Sequence, residues 1–286
     1  MITLPFLLTL AGLGFAAGLI GALLGLGGGI FLVPALTLAL GMPFGVAAGT
    51  SLVAVAATSA AGASTYVRTR LTNIRLAVLL ATATVAAALA ASYVAQGIDA
   101  RLLRALFAGM LIYTAVSMLR GARRPSTGQP APTPAGAWDI PGSYYDVKLG
   151  QTVTYRATRI PLGVAASLLG GTLSGLLGVG GGIVQVPVMH LLMGVPLKVA
   201  TGTSSFLIGI TAAAGALIYY ARGNINPVVA APAALAVFGG ARLGAYLVQR
   251  LPGGLLKQIF AVVALLVAAQ MVLQALGACP WCAAGK

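Results

Sequence analysis

Two copies of one glycine-rich motif constrain the fold of this chain more than any other feature. The first copy, at 25–30, reads Gly-Leu-Gly-Gly-Gly-Ile, and the second, at 178–183, reads Gly-Val-Gly-Gly-Gly-Ile. At a constant offset of 153 and without gaps, residues 18–51 match residues 171–204 at 18 of 34 positions. The best-repeated residues are glycine, proline and a Gly-Thr-Ser step, which are poor residues for uninterrupted helices. The chain is therefore a duplicated unit whose helices are broken at equivalent places.

The composition indicates an integral membrane protein. Hydrophobic residues make up 59% of the 286 residues and charged residues only 7%, against about a quarter in soluble proteins. The three acidic residues, Asp99, Asp139 and Asp146, lie outside the apolar runs, which argues against carboxylate catalysis and carboxylate metal sites. We therefore predict no enzyme activity, no catalytic residue, no metal and no cofactor. The basic residues behind the net charge of +14 flank apolar runs, so the positive-inside rule explains them better than nucleic acid binding.

Eight apolar runs are long enough to span a membrane, which takes about 20 residues each. They lie near 4–24, 46–66, 76–96, 102–119, 160–177, 199–220, 227–248 and 255–276. Each half also contains a short apolar piece, at 30–40 and 183–193. Such a piece covers roughly 16 Å, half a hydrocarbon core, and predicts a half-helix or a re-entrant segment. The first run lacks a basic n-region and contains the start of the repeat, so we interpret it as a helix rather than a signal peptide.

These runs divide the chain into four parts. We predict a first transmembrane repeat at 1–119, a soluble, Pro-rich cytoplasmic linker at 120–159, a second transmembrane repeat at 160–277 and a C-terminal tail at 278–286. The linker is expected to hold a short hairpin around 153–160.

The short pieces decide how the two halves are oriented. Five crossings per half invert the halves and place twelve basic residues inside and four outside, whereas four crossings keep the halves parallel and give eleven and five. The positive-inside rule therefore favours, by a small margin, inverted halves. The expected fold is an all-α polytopic membrane protein of two inverted repeats, each with long helices and one short broken or re-entrant helix. We expect it in the plasma membrane, of the bacterial inner-membrane type.

The glycine steps are the first candidate site. Inside a membrane an unwound step must be buried in protein or line a wet cavity, because lipid cannot satisfy free backbone groups. Short helices follow both steps, and their free N–H groups and positive dipole ends suit an anion. The alternative is tight helix packing through small residues. The candidate residues are Gly27, Gly28, Gly29, Gly180, Gly181 and Gly182.

Hydroxyl groups form the second part of the candidate site. Thr50, Ser51, Thr203, Ser204 and Ser205 stand near the start of two long helices, where donors outnumber acceptors. The alternative role for them is N-capping, which Ser and Thr favour, and the two roles are compatible.

Three residues of the second half differ in type from their first-half counterparts. Arg242 is the basic residue deep in an apolar run, where a charge is a functional candidate, although snorkelling to the interface is the alternative. Gln185 follows the second glycine step closely and is a candidate substrate contact. His190 does not share a helix face with Gln185, and one histidine without carboxylates makes a poor metal site.

A Cys-Pro-Trp-Cys sequence at 279–282 supplies the alternative function. Its spacing is that of a redox pair, so Cys279 and Cys282 could serve a membrane thiol or quinone-linked redox protein, although a plain disulfide or free thiols is the simpler interpretation. The glycine steps themselves do not indicate a nucleotide site, since no strand precedes them and no Gly-Lys-Ser/Thr follows.

The doubled Gly-x-Gly-Gly-Gly-Ile with its downstream proline, followed by Gly-x-Pro and Ala-x-Gly-Thr-Ser, resembles the TauE/SafE sulfite exporter family of bacterial membrane permeases. The resemblance covers both apolar halves, whereas the long linker and the Cys-Pro-Trp-Cys tail are not part of the family's pattern. It implies export of a small sulfur-containing anion, such as sulfite or the organosulfonate sulfoacetate. It also implies that the two glycine steps, with Thr50, Ser51, Thr203 and Ser204, line the site.

Together these observations predict a secondary transporter in which one half rocks against the other. Arg242 would supply the counter-charge. The expected partners are a small anionic substrate and the lipid bilayer, with no nucleic acid, and a homodimer is left open.

Overall fold

The structure is a computed structural model that describes residues 4–99, 139–146 and 150–248, with scattered helical positions between 101 and 116 and between 258 and 269. Its first half contains α1 (Leu4–Leu24), α2 (Gly29–Ala39), α3 (Phe44–Arg68) and α4 (Ile74–Val94), which a 3₁₀ turn (Ala95–Gly97) extends. A hairpin of β1 (Ile140–Asp146) and β2 (Gln151–Ala157) follows. The second half contains α5 (Ile160–Leu177), α6 (Gly182–Pro187), a π-helical continuation (Val188–Leu192), α7 (Leu197–Ala221) and α8 (Pro227–Val248).

Five helices in this part of the chain are long and apolar enough to cross a membrane. They are α3, α4 with its 3₁₀ extension, α5, α7 and α8. The protein is therefore mostly helical and multi-pass, as the sequence predicted. The runs expected near 102–119 and 255–276 lie largely outside the described residues, and the tail at 278–286 lies wholly outside them.

The 153-residue offset extends to the helix boundaries. Helix α3 starts at Phe44 and α7 at Leu197, and both follow a proline with φ −54° and ψ 139°. Hydrogen bonds repeat in the same way. The Tyr66 hydroxyl donates to the Ala22 carbonyl at 2.7 Å, and that of Tyr219, its counterpart, donates to the Gly175 carbonyl at 3.0 Å. The duplication is thus structural as well as sequential.

The two halves are interlocked rather than side by side. Helix α1 packs against α8 of the other half, and α5 packs against α4, so each first helix meets the fourth helix of the other repeat. Glycine allows the close approach: a Cβ on Gly18 would collide with the Val237 backbone, and one on Gly171 would collide with the Thr84 backbone. Small residues permit such backbone contact between membrane helices.

The long equivalent helices α3 and α7 cross at the centre and run antiparallel. The order of neighbours shows this: Tyr66 lies beside Gly202, Gly62 beside Ser205, and Ser59 beside Gly209, so the residue numbers fall along one helix as they rise along the other.

Helix α2 begins beside the middle of α3 and runs antiparallel to it, towards the first residues of α3. A Cβ placed on Gly29, the first residue of α2, would lie 2.8 Å from Cγ2 of Val55. Farther along α2, Leu36 shares a buried cluster with Ala47, near the beginning of α3. The prediction of a short helix after the first glycine step is confirmed, and this helix runs antiparallel to the first half of α3.

The linker contains an antiparallel hairpin, as the sequence suggested for this part of an otherwise all-α chain. Ile140 pairs with Ala157 and Asp146 with Gln151, so the hairpin begins earlier than the stretch around 153–160 where the sequence suggested one. Its β1 strand holds Tyr144, Tyr145 and Asp146.

Candidate functional site

The two glycine steps meet at the centre of the protein. A Cβ on Gly29 would lie 2.9 Å from Cα of Val179 and 3.0 Å from the carbonyl oxygen of Gly178. In the reciprocal contact, a Cβ on Gly182 would lie 2.5 Å from the carbonyl oxygen of Gly25. Each helix break is therefore packed, backbone on backbone, against the other. The tight-packing role proposed for these glycines is real, and it also places both breaks at one point.

Val55 of α3 and Ile208 of α7 fill the space in front of both breaks. A Cβ on Gly27 would lie 2.8 Å from Cγ1 of Val55 and 3.0 Å from Cγ2 of Ile208, and one on Gly180 would lie 2.6 Å from each of the same atoms. Both side chains are fully buried. Sequence reasoning missed this pair, although the two positions are 153 residues apart and extending the repeat comparison past Ser51 would have matched them.

The breaks end in left-handed backbone that only glycine adopts without strain. Gly27 and Gly28 have φ of +78° and +76°, and Gly180 and Gly181 have +81° and +78°. Gly28 is the N-cap of α2, and no side chain caps that end. The first N–H groups of α2 consequently point into the break without an acceptor in their own helix.

Thr50 and Thr203 hold the starts of neighbouring helices. The Thr203 hydroxyl accepts a hydrogen bond from the Asn73 N–H at 3.0 Å, and that of Thr50 accepts one from the Asn226 N–H at 3.2 Å. Both threonines are fully buried. The capping role is therefore present, but it serves α4 and α8 rather than the helices that carry the threonines.

The serines lie closer to the breaks. The Ser204 hydroxyl donates to the Gly25 carbonyl at 2.9 Å and so touches the first glycine step directly. The Ser51 hydroxyl, its counterpart, is fully buried and has no hydrogen-bond partner among the described residues. The Ser205 carbonyl accepts a hydrogen bond from the hydroxyl of Ser59 of the first half. Ser204 and Ser205 of α7 thus contact the first half of the protein directly.

The second-half residues occupy different places. Gln185 is fully buried, and its Oε1 accepts from the Ser167 hydroxyl at 3.3 Å, while its Nε2 has no partner among the described groups. His190 contacts the Val195 carbonyl through Nδ1 at 3.0 Å. Arg242 is exposed on α8, whereas Gly240 of the same helix packs against α1. The structure therefore brings Gln185 near the second break and leaves Arg242 on the surface, so the counter-charge role of Arg242 stays a prediction.

A buried ion pair connects the hairpin to the second half. The Lys198 ammonium lies 3.2 Å from each carboxylate oxygen of Asp146, and each residue is 8% exposed. Beside it, burial and the neighbouring Asp146 raise the pKa of Tyr144 to about 12. The hairpin also contacts the first half, since Asn73 Nδ2 donates to the Tyr155 hydroxyl at 3.1 Å. Sequence reasoning counted Lys198 only among the basic residues that decide the orientation of the halves and did not pair it with Asp146.

A chain with several membrane-crossing helices, in two interlocked repeats whose broken helices meet at the centre, is a membrane transporter of duplicated build. It belongs to the TauE/SafE sulfite exporter family, whose sequence profile matches residues 10–271.

Curated relatives agree with this assignment. The chain is similar to the probable membrane transporter protein YunE of Bacillus subtilis, with 28% identity over 91% of this chain and 95% of the relative. It is also similar to the probable membrane transporter protein MJ0441 of Methanocaldococcus jannaschii, with 25% identity over 88% of each chain. No solved structure gives a significant match. The family and these relatives are transporters rather than enzymes, and Cys279 and Cys282, on which the redox alternative rests, lie outside the described residues.

Proposed function

We propose that this transporter exports a small sulfur-containing anion, sulfite or an organosulfonate such as sulfoacetate, by alternating access between two inverted halves. The observation that carries the proposal is the meeting of the two glycine steps. Irregular backbone at this depth is tolerated where protein buries it or where it lines a substrate path. Paired discontinuous helices at a repeat interface are a recurrent substrate site in secondary transporters.

Two contacts support the inverted orientation. Helices α3 and α7 are repeat counterparts and run antiparallel. This arrangement fits a two-fold axis that lies in the membrane plane, perpendicular to the helices. The hairpin contacts both Lys198 and Asn73, so the start of α7 lies on the same face as the turn between α3 and α4. Five crossings per half place these two segments on one side, whereas four crossings place them on opposite sides.

The chemistry around the crossing suits an anion. The three acidic residues of the chain lie outside α1 to α8, so no carboxylate in these helices repels a negative substrate. The free N–H groups at the start of α2 and the Ser51 hydroxyl are donors without a described partner. An inside-negative potential of about 100 mV favours the exit of an anion by about 2.3 kcal/mol per charge, so export needs no coupling carboxylate.

Flux from proteoliposomes loaded with single anions tests the proposal. Sulfite and sulfoacetate are expected to leave, and chloride and a cation serve as comparisons. Ser51→Ala is the informative variant, because it removes a buried hydroxyl that bonds to nothing described and should reduce sulfite flux without reducing stability. Arg242→Ala tests the counter-charge, and Thr82→Val, at an exposed position of α4, is the matched control. Movement of the cation while sulfite, sulfoacetate and taurine all stay inside would refute the proposed function.

A further inference from the structure

The Lys198–Asp146 pair has the geometry of an occupied anion site. One ammonium lies 3.2 Å from both oxygens of one carboxylate, at a place where both side chains are almost fully buried. Lys198 belongs to the first turn of α7, whereas Asp146 is the last residue of β1 and arrives from the linker. The cation is therefore part of the membrane repeat, and the anion that neutralises it is supplied from outside that repeat.

The site is specific to the second half. At the equivalent positions of α3, Gly45 stands for Lys198 and Ala48 for Thr201. Thr201 lies three residues farther into α7, on a neighbouring position of the same helix face. It is fully buried, and its hydroxyl has no partner among the described residues.

Thr201 connects this cation to the candidate substrate site. Its Cγ2 lies 3.0 Å from the position of a Cβ on Gly25, the first residue of the glycine step. Three residues beyond Thr201, Ser204 bonds to the Gly25 carbonyl. Polar side chains at three-residue spacing, Lys198, Thr201 and Ser204, thus lie along α7 from the hairpin to the first glycine step. The corresponding face of α3 offers no such series, since its members are Gly45 and Ala48.

We propose that Lys198 is the anion-recognition residue on the linker face and that the Asp146 carboxylate is a tethered competitor, which holds the ammonium until an incoming oxyanion displaces it. This inference rests on the proposed function, because it requires a small oxyanion as substrate. The hairpin then acts as a selective cover: it leaves Lys198 when another set of negatively charged oxygens can replace those of Asp146.

If an oxyanion displaces Asp146 from Lys198, removing Asp146 and removing Lys198 should change the attraction of the oxyanion in opposite directions. Without Asp146, a buried ammonium remains without its counter-charge, and it should attract an oxyanion more strongly. Without Lys198, the oxyanion loses its cation. If the pair only tethers the hairpin, both changes release the hairpin, and their effects should have the same sign.

The experiment measures the half-saturating sulfite concentration for transport with sulfite supplied on the linker face. That face is identified by labelling Tyr145→Cys, an exposed hairpin position. The variants are Asp146→Asn, Lys198→Gln and the double substitution, in otherwise full-length protein. Asp139→Asn is the matched control, because it removes the other described carboxylate next to the hairpin. The Asp139 carboxylate lies 3.9 Å from the guanidinium of Arg156, whose side chain is 43% exposed. Thermal unfolding of each purified variant checks that the fold is intact.

Asp146→Asn should lower the half-saturating concentration by about threefold or more, as expected for a lost competitor at a charged contact. Lys198→Gln should raise it by a similar factor, the double variant should resemble Lys198→Gln, and Asp139→Asn should match the wild type. Tyr155→Phe should also lower the half-saturating concentration, because the loss of the Tyr155 hydroxyl weakens the attachment of the hairpin to Asn73 and leaves the Lys198–Asp146 pair intact.

Equal shifts of the same sign for Asp146→Asn and Lys198→Gln, in a protein that transports sulfite, would overturn this inference and leave the proposed function standing. Failure of the wild type to transport any sulfur oxyanion would overturn both.

Discussion

Replacement of Gly29 by alanine tests directly whether the two helix breaks are packed on each other. The added methyl group would lie 2.8 Å from Cγ2 of Val55, 2.9 Å from Cα of Val179 and 3.0 Å from the Gly178 carbonyl oxygen. Two of these three atoms belong to the backbone of the other half, so a rotamer change cannot relieve the contact. One break must therefore move away from the other.

The expected destabilisation follows from two opposing effects. Overpacking a well-packed interior costs about 1–3 kcal/mol, whereas alanine in place of glycine within a helix contributes about 0.5–1 kcal/mol of stability. The φ of Gly29 is not among the left-handed values, so backbone strain adds nothing. The net loss should be about 1–2 kcal/mol, which corresponds to a fall in Tm of roughly 2–3 °C for a chain of this size.

Thermal unfolding in detergent measures this loss. Gly45→Ala is the matched control, because Gly45 is also helical and a Cβ there would meet nothing within 4 Å. Gly45→Ala should leave Tm unchanged or raise it slightly. Gly29→Ala with the same Tm as Gly45→Ala would refute the direct contact between the two breaks.

Three further predictions concern the supports of the site. Thr203→Val should lower the free energy of unfolding by about 1 kcal/mol, because the Asn73 N–H loses its acceptor; chemical denaturation measures it, and no loss would contradict the capping role. Tyr66→Phe should cost about as much by freeing the Ala22 carbonyl at the end of α1, and a neutral result in the same assay would exclude that bond. Hairpin protection from protease should be unchanged between pH 6 and 9, because the pKa of Tyr144 is raised to about 12. The contribution of its neutral hydroxyl is complete below the unfolded pKa of about 10 and is lost as the pH rises through 12. Loss of protection near pH 8 would contradict this assignment.

The fold was largely predictable because the repeat carries local signals. The positive φ at Gly27 and Gly180 requires glycine, and a proline stands directly before α3 and before α7. The breaks and these helix starts can therefore be read from the local sequence. The hairpin was located less well. Its Tyr144 and Asp146 are both buried, and Asp146 bonds to Lys198 of α7, but no pattern within the linker indicates that docking.

The candidate site was predictable in its backbone but not in its side-chain partners. Thr50 and Thr203 were identified as hydroxyl donors, yet they accept hydrogen bonds from the starts of α8 and α4, helices of the opposite halves. Such pairings depend on how the halves interlock, which spacing along one chain does not reveal. Val55 and Ile208 were missed because an apolar residue in an apolar helix carries no signal of its own, and only the equivalence of their positions in the repeat connects them.

The central claim is that an anion passes the point where the two glycine steps meet, and Val55 marks that point. The most direct measurement is sulfite export before and after modification of Val55→Cys with a small sulfonate-bearing thiol reagent, in a background of Cys279→Ser and Cys282→Ser. Alternating access predicts that the cysteine is modified from each face during turnover, that modification stops export, and that excess sulfite slows it. Full sulfite export by protein modified at position 55 would contradict the account.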